Sequence, residues 1–297
     1  MTHRRTRLGA CTMFAVLSVG AAAPAAAPTL EELAAATYAG IYDTPVTLTQ
    51  GHWKGKPYDP HGATAPAAGL VDGFRLSGDL NADGADEAVA MLWFSRGGTG
   101  TFGYVVVVGR EDGKATPLGI AEIGDRVQVR AARIEAARIV FDTIQAGPQD
   151  PACCPGQSFR RGWELSGGKL REVASEDRGP ASVALIADVE WQLDEFTPDA
   201  SLPAGVEVTL SVKADRVGGS SGCNRYGASI ADGEGPGSIR IGPTMGTRRA
   251  CRGDATEVER RFLEALSHVE RFGFVAGRLT LSWSHEDRYG TLIFSPR

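Results

Sequence analysis

The chain has 297 residues, of which 36 are acidic and 31 are basic, and its formal net charge is −5. An acidic balance of this kind does not attract nucleic acid or anionic lipid, so we expect neither as a partner. Five cysteines are present, and their chemistry depends on the compartment in which the protein resides.

The first 25 residues predict a secretory signal peptide. Several arginines begin the chain, an apolar run covers 9–23, and small residues surround Ala25, after which we place the cleavage. The apolar run is shorter than the ~20 residues of a membrane-spanning helix, so no transmembrane segment is expected after cleavage. Twin-arginine export through Arg4 and Arg5 and lipid attachment at Cys11 are the alternatives. Cys11 precedes the apolar core instead of ending it, which favours ordinary export to the periplasm, the envelope or the medium.

Export has consequences for size, charge and cysteine chemistry. The signal segment contains no acidic residue, so its removal makes the net charge more negative. It leaves about 270 residues, a length that favours two domains. Four cysteines remain, an even number in an oxidising compartment, where disulfides are expected.

The first predicted domain covers 26–174 and is rich in β-structure. A short helix is expected at 29–33 with Thr29 as its N-cap, followed at 45–68 by a loop region with at most one short strand. Short β-branched and aromatic runs predict antiparallel strands at 88–94, 104–108, 139–144, 159–165 and 170–173. The last two strands form a predicted hairpin, and the polar residues after it predict a linker at 175–184.

The second predicted domain covers 185–297. Trp191 lies on its first strand, and alternating apolar residues at 206–212 predict the next one. Asp254 and Glu257 have the spacing of a capping box and precede an apolar stripe, which predicts a helix that covers a sheet. Further strands are expected at 272–275, 279–283 and 290–294. The predicted fold class is therefore α+β, mostly antiparallel β, with two β-rich domains and one packing helix in the second.

The strongest chemical signal in the first domain is an acidic run at 79–87. Oxygen-bearing side chains at positions one, three and five, with glycine at position six, can wrap a loop around a hard cation. We therefore predict calcium in a structural role, and the alternative is a turn held by its own side-chain-to-backbone bonds. Position twelve is Ala90, so the bidentate glutamate of a helical EF-hand is missing. The candidate ligands are Asp79, Asn81, Asp83, Ala85 and Glu87.

Cys153 and Cys154 are adjacent in the sequence. Neighbouring Cα atoms lie about 3.8 Å apart, which is closer than the ~4.4–6.8 Å of ordinary disulfides. A bond between them would be strained and easily reduced, which is typical of a redox sensor or a rigid turn. Two free thiols, or pairing with cysteines elsewhere, are the alternatives. A metal site is not expected, because no histidine lies close in the sequence.

Two motifs of the catalytic or cofactor-binding type occur in the wrong context. The G-x-G-x-x-G run at 98–103 precedes a second strand instead of the helix N-terminus that a pyrophosphate needs, so we predict a hairpin connection. The G-x-S-x-G run at 218–222 offers Ser220 as a nucleophile, but extended structure follows it where a nucleophile elbow requires a helix. We therefore predict no catalytic residue.

The cysteine motifs of the last third of the chain carry a family resemblance. The run Gly-Cys-Asn-Arg-Tyr at 222–226, the Trp-x-Leu strand at 191–193 and the Ala-Cys pair at 250–251 resemble the META domain family, which includes HslJ-like heat-shock envelope proteins. Arg249 departs from the family, which commonly has methionine there. The first domain is similar to uncharacterised regions that accompany META domains, and its acidic loop is similar to the cation loops of FG-GAP repeats.

The resemblance implies structural roles for the motif residues. We expect Cys223 and Cys251 to form one disulfide that closes a loop of about 29 residues. Asn224 can tolerate a left-handed turn conformation and bond its own backbone. Three arginines are candidate exposed contacts, namely Arg225, Arg248 and Arg249.

The resemblance also implies a class of function. Members of the family are exported or envelope-associated and are linked to stress tolerance, and no catalytic activity is established for the fold. The leading hypothesis is a non-enzymatic exported envelope protein that serves in stress tolerance or binds an envelope protein or a small ligand. The alternatives are a secreted hydrolase that uses Ser220 and a calcium- or redox-responsive interaction scaffold.

Overall fold

A computed structural model describes residues 26–59, 61–151, 153–198, 200–251 and 253–297. The predicted signal peptide at 1–25 lies outside these ranges. Antiparallel β-structure dominates the described chain, which contains two α-helices, so the predicted fold class is confirmed. Within these ranges no helix has both the length and the apolar character needed to cross a membrane.

The N-terminal part begins with the short helix α1, Leu30–Leu33. The Thr29 hydroxyl accepts a hydrogen bond from the Glu32 amide, and the Glu32 carboxylate accepts one from the Thr29 amide, which confirms Thr29 as the cap. Twelve strands follow: β1 Thr37–Tyr38, β2 Val46–Thr47, β3 His52–Lys54, β4 Ala67–Leu70, β5 Leu76–Gly78, β6 Glu87–Ser95, β7 Phe102–Glu111, β8 Lys114–Asp125, β9 Gln128–Glu135, β10 Arg138–Gln145, β11 Gln157–Ser166 and β12 Lys169–Pro180.

Two larger sheets organise this part. One has the order β3-β4-β6-β7-β8, with β5 beside β6, and the other has the order β12-β11-β10-β9. Strands β6 and β7 are buried on both faces. Leu92 and Val106 pack beneath α1 and the small β1–β2 sheet, whereas Met91 and Val105 share a core with Phe141 of the other sheet. Burial on both faces explains why these strands read as continuous apolar runs without alternation.

The structure confirms the predicted hairpin but has a strand in the first part of the predicted linker. Strands β11 and β12 pair antiparallel across a tight turn, which confirms the hairpin. Strand β12 then continues to Pro180, so residues 175–180 are hydrogen-bonded strand where we expected an irregular linker. The reason is that β12 is an edge strand whose side chains are mostly exposed, and polar residues suit such a strand. A 3₁₀ turn at Val183–Ile186 completes the connection.

The C-terminal part forms one large antiparallel sheet. Its strand order is β18-β17-β16-β15-β13-β22-β21-β20, with β14 beside β13 and β19 beside β17. The elements are β13 Glu190–Thr197, β14 Ala200–Ser201, β15 Thr209–Lys213, β16 Arg216–Ser220, β17 Arg225–Asp232, β18 Ile239–Ile241, β19 Met245–Gly246, α2 Asp254–Ser267, β20 Val269–Val275, β21 Arg278–His285 and β22 Arg288–Pro296. The three strands predicted after the helix are therefore confirmed.

Helix α2 packs its apolar face against this sheet. Phe262 is fully buried, and its ring meets that of Tyr226 with centroids 5.2 Å apart, which confirms the predicted packing helix. The predicted capping box is wrong. The N-cap is Gly253, which makes no side-chain cap bond, and Asp254 is already the first helical residue. Glu257 pairs instead with Arg260 one turn further along the helix.

The two parts of the chain meet along β9 and β20. The side-chain oxygen of Gln128 accepts a hydrogen bond from the Phe274 amide at 2.9 Å. The Val129 carbonyl accepts one from the Gly277 amide, also at 2.9 Å. These bonds hold the hairpin of β20 and β21 against the N-terminal sheets.

Candidate functional site

Asn224 is the centre of the cysteine motif. It is 5% exposed, and its side-chain oxygen accepts hydrogen bonds from the Thr247 hydroxyl and the Arg249 amide, each at 2.8 Å. Its side-chain nitrogen donates to Glu259 at 3.0 Å. The positive φ of this turn belongs to Gly222 (101°), so Asn224 does not take the left-handed conformation that its side chain would tolerate. Glycine takes that conformation at no steric cost, which leaves the asparagine side chain free to join three separate segments.

Glu259 ties helix α2 to the same motif. Its carboxylate accepts hydrogen bonds from the Ser221 hydroxyl at 2.8 Å and from the Asn224 amide at 2.9 Å. Burial acts to raise the pKa of Glu259, but these hydrogen bonds and the nearby Arg249 charge outweigh it and lower the pKa below its ordinary value. The carboxylate is therefore ionised at neutral pH. No sequence signal distinguishes Glu259, because a glutamate next to an apolar helix stripe is ordinary.

Cys223 and Cys251 are bonded in the structure, with Cα atoms 6.0 Å apart. The Asn224 side-chain nitrogen lies 3.6 Å and 3.5 Å from their two sulfurs. Among the described residues, these sulfurs and Glu259 are the one set of three potential metal ligands whose ligand atoms all lie within 4.8 Å of one another. Metal binding requires thiolates, and the sulfurs are bonded to each other. The two cysteines therefore form a disulfide inside a cluster of hydrogen-bonded residues. We call this cluster the hub, and its members are Ser221, Asn224, Thr247, Arg249 and Glu259.

The three candidate arginines surround this hub on its exposed side. The Arg249 guanidinium donates a hydrogen bond to the Cys223 carbonyl, so it helps to close the hub. Arg225 and Arg248 line a cavity of about 230 Å³ next to Met245, which is 67% exposed. Their role as ligand contacts stays a prediction.

The acidic run forms a turn between β5 and β6. The Asp79 carboxylate accepts hydrogen bonds from the Ala82 and Gly84 amides at 2.7 Å and 3.1 Å. The Asp83 carboxylate accepts one from the Ala85 amide at 2.8 Å. These side-chain-to-backbone bonds are the ones expected of the alternative structure, a turn held together by its own residues. They do not exclude a cation, because each carboxylate retains further acceptor positions.

Glu87 closes the turn from the first position of β6. It is 2% exposed, and its carboxylate accepts a hydrogen bond from the Leu80 amide at 2.8 Å and one from the Asn81 side-chain nitrogen at 3.1 Å. Burial raises the pKa of Glu87, and the charges of Asp83 and Asp79 raise it further. A cation near these carboxylates would relieve their repulsion. Calcium stays a prediction for this loop.

The adjacent cysteines are bonded to each other, with Cα atoms 3.8 Å apart. The Cys154 amide donates to the Pro151 carbonyl at 2.9 Å, so the pair lies in a tight turn. Gly156, two residues further on, packs against Pro236 of the C-terminal sheet region, and a Cβ added there would collide with the proline ring. The vicinal pair of Cys153 and Cys154 therefore lies beside the junction of the two parts of the chain.

The G-x-G-x-x-G and G-x-S-x-G runs both lie where one antiparallel strand leads into the next. Strands β6 and β7 pair directly across residues 98–101, which confirms the hairpin connection. Ser220 is the last residue of β16, and its hydroxyl donates to the Glu207 carbonyl at 3.3 Å. The chain then turns into strand β17, so the strand, turn and helix of a nucleophile elbow are not formed here.

A cleft of about 920 Å³ lies between helix α2 and the end of the sheet where β13, β21 and β22 meet. We call it the α2 cleft. Its volume is that of sites that accept small organic ligands. None of its residues was predicted as a site residue, because they come from distant segments and share no motif.

The helix side of the α2 cleft is charged, and its charges are paired. The Arg260 guanidinium donates to Glu257 at 2.6 Å and 2.9 Å and to Glu264 at 3.0 Å. Arg288, the first residue of β22, also donates to Glu264. These hydrogen bonds lower the pKa of both glutamates below the ordinary value, so both carboxylates are ionised at neutral pH.

The strand side of the α2 cleft is aromatic. Tyr289 is 79% exposed, and Trp283 is half-buried with its indole against the backbone of Gly290. A Cβ at position 290 would lie 2.2 Å from the Thr197 carbonyl oxygen and 3.0 Å from the Trp283 Nε1 atom, so only glycine fits there. Phe196 is buried at the floor, and the Arg261 guanidinium lies over its ring at 4.9 Å. Trp283 pairs with Gly290 and Tyr289 pairs with Ser284, so the two rings project from opposite faces of the sheet, and Trp283 is the one on the face that α2 covers.

Comparison with known proteins identifies the C-terminal part. The family model of the META domain matches residues 184–294, which confirms the resemblance of that part. Among solved structures, the chain is similar to the NMR structure of a protein from Burkholderia xenovorans. The sequence identity is 26%, the match covers 38% of this chain and 85% of that chain, and the TM-score is 0.32. No curated protein matches the chain.

Proposed function

With the META domain at residues 184–294 as the premise, we propose that this protein is an exported, envelope-associated module that binds a small ligand in the α2 cleft. Stress tolerance is the process in which such a module would act, by analogy with the family. The protein carries out no reaction on its ligand in this proposal.

The observation that carries the proposal is the contrast between the two sides of the α2 cleft. One side presents ion-paired side chains of α2, and the other presents the half-buried ring of Trp283 and the buried ring of Phe196. Sites for small ligands combine an apolar surface with a few fixed polar groups in this way.

Two further observations support the non-catalytic part of the proposal. The Ser220 hydroxyl is bonded to a backbone carbonyl at the end of a strand, away from the geometry of an activated nucleophile. In the α2 cleft, the two glutamates have lowered pKa values and are held by arginines, whereas a general acid needs a raised pKa.

Export is supported by the sequence of residues 1–25 and by the two cysteine bonds, which suit an oxidising compartment. N-terminal sequencing of the protein recovered from its native host tests this part. We expect the chain to begin at residue 26 and to be released with the periplasmic or extracellular fraction. An intact Met1 in the cytosolic fraction would contradict export.

The binding part is tested by a fragment screen monitored by ¹H–¹⁵N NMR. We expect at least one small molecule to shift the amide signals of 257–265 and 282–291, and we expect Trp283→Ala to weaken its binding. Trp53→Ala is the matched control, because Trp53 is also a half-buried tryptophan but does not line the α2 cleft. A library that shifts only residues elsewhere, or none, would refute the proposal.

A further inference from the structure

We propose that the N-terminal part binds a free basic amino acid (lysine, ornithine or arginine) in a pocket of its own, apart from the α2 cleft. This pocket has a volume of about 380 Å³ and lies between the loop that joins β1 to β2 and one face of β6, β7 and β8. We call it the Tyr42 pocket. Six of its nine lining residues carry a hydroxyl group or a charge, namely Tyr42, Asp43, Tyr58, Arg96, Tyr104 and Glu122. Binding here requires nothing of the α2 cleft.

The strand register places the sheet side of the Tyr42 pocket on a single face. Tyr104 of β7 pairs with Leu92 of β6 and with Glu122 of β8, and Phe94 lies two residues beyond Leu92. Cross-strand partners and alternate residues share a face, so the side chains of Phe94, Tyr104 and Glu122 project from the same side of the sheet. The Tyr42 ring covers that side from the loop, with its centroid 5.8 Å from that of Phe94. The pocket is therefore held by packed elements on both sides.

Charges of both signs line the Tyr42 pocket without pairing with one another. The Arg96 guanidinium lies over the ring of Phe102, 5.6 Å from its centroid. The Glu122 carboxylate accepts a hydrogen bond from the Tyr104 hydroxyl at 3.2 Å, and Asp43 lies on the loop. Within the part of the chain that the structure describes, none of these three charged side chains has an ion-pair partner. The α2 cleft differs, because its arginines and glutamates neutralise each other.

The tyrosine hydroxyls lie within electrostatic reach of these charges. Burial raises the pKa of Tyr104, the Glu122 charge raises it further, and the Arg96 charge lowers it. Burial also raises the pKa of Tyr42, and the Asp43 charge adds to that effect. Both hydroxyls therefore stay protonated at neutral pH and can donate and accept hydrogen bonds. The arginine and one carboxylate act on the sheet side of the pocket, and the second carboxylate acts on the loop side.

A basic amino acid carries the complementary set of charges. The pocket offers one positive and two negative side chains, and such a ligand has one carboxylate and two cationic groups. Its carboxylate can accept hydrogen bonds from the Arg96 guanidinium, and its cationic groups can donate to Glu122 and Asp43. Its methylene chain can lie against the apolar floor at Phe94. A ligand with cationic groups alone would meet Arg96, and an anion would meet both carboxylates, and like charges brought together cost free energy.

The test is a ¹H–¹⁵N NMR titration of the purified protein with L-lysine, L-ornithine and L-arginine. We expect at least one of them to shift the amide signals of 40–43, 94–96 and 120–123, and its affinity should fall between about 50 mM and about 500 mM salt. Two matched compounds each lack one charge. The decarboxylated amine (cadaverine, putrescine or agmatine) has no carboxylate for Arg96, and norleucine has no side-chain cation. Each should bind at least about threefold more weakly than the basic amino acid.

Variants separate the contacts. Arg96→Gln should weaken binding of the amino acid about three- to tenfold and should not weaken binding of the decarboxylated amine, because it removes a like charge from the amine's site. Glu122→Gln should weaken binding of both compounds. Arg216→Gln is the matched control, because Arg216 is an exposed arginine that does not line the Tyr42 pocket. The amide spectrum of each variant checks that the fold is retained.

Three results would overturn the assignment. The first is that no basic amino acid shifts the amides of the Tyr42 pocket. The second is that the decarboxylated amine or norleucine binds there as tightly as the amino acid, since the ligand then needs only part of the charge set. The third is that Arg96→Gln leaves the affinity for the amino acid unchanged. A basic amino acid that shifts only 257–265 and 282–291 also refutes the Tyr42 pocket as its site, while it supports the α2 cleft as a binding site.

Discussion

Replacing Cys223 and Cys251 by serine should remove a large share of the stability of the C-terminal part. The two cysteines are 28 positions apart, so their bond closes a loop that spans strands β17 to β19. In the chain-entropy model, a closed loop of about 29 residues contributes about 3.5 kcal/mol to the free energy of unfolding. For a chain of this size each kcal/mol corresponds to about 2–4 °C in the melting temperature, so we expect a decrease of about 7–14 °C.

The assay is thermal and urea-induced unfolding of the oxidised proteins, followed by circular dichroism. The matched control is the double serine variant at Cys153 and Cys154, which also removes one disulfide but one that joins neighbours. Because that bond closes almost no loop, its loss should cost far less. A loss below about 1 kcal/mol for the Cys223 and Cys251 variant, or equal losses for the two variants, would refute the loop-entropy reasoning. Free thiols in the oxidised wild type would refute the pairing itself.

Three further predictions concern the hub and the acidic turn. Asn224→Ala should lower the free energy of unfolding by about 2–3 kcal/mol, because it leaves buried partners unsatisfied; a loss within ~0.5 kcal/mol, measured by urea unfolding, would contradict the hub. The lowered pKa of Glu259 means that its contribution is present above the ordinary glutamate pKa and is lost as pH falls through the lowered one. Glu259→Gln should therefore destabilise the protein at neutral pH and flatten its acid-induced loss of stability; an unchanged stability-versus-pH curve would argue against this. Titration calorimetry should detect heat when calcium binds the wild-type protein, and Asp79→Ala and Asp83→Ala should abolish that heat. If the wild-type protein gives no binding heat, the calcium prediction is wrong.

The strands were predictable where the sequence carries a short continuous apolar run or a clear turn signal. Strands β6, β7 and β10 are apolar because most of their residues are buried. The turn at Gly167 and Gly168 marks the hairpin of β11 and β12. Strand β8 was missed because its residues are half-buried and include Pro117, which weakens the pattern of a strand. The linker at 175–184 was predicted in place of the end of β12 for a related reason, since an exposed edge strand has the composition of a loop.

The candidate sites were predictable only in part. The cysteine motif could be recognised from the spacing of its residues. The contact between Asn224 and Glu259 could not, because the two residues are 35 positions apart and only the fold brings them together. The α2 cleft has no sequence signal at all. Trp283 is a single aromatic residue near the end of β21, and only the packing of α2 on the sheet places it beside the charged side chains of the helix. Contact of this kind depends on tertiary packing and not on local propensity.

The most direct test of the α2 cleft as the binding site is hydrogen–deuterium exchange of the purified protein with and without the ligand obtained from the fragment screen. We expect protection of the backbone amides in 257–265 and 282–291, with no change in the cysteine hub at 222–226 or in the acidic turn at 79–87. Protection confined to the hub, the acidic turn or the junction of the two parts of the chain would contradict the assignment of binding to the α2 cleft.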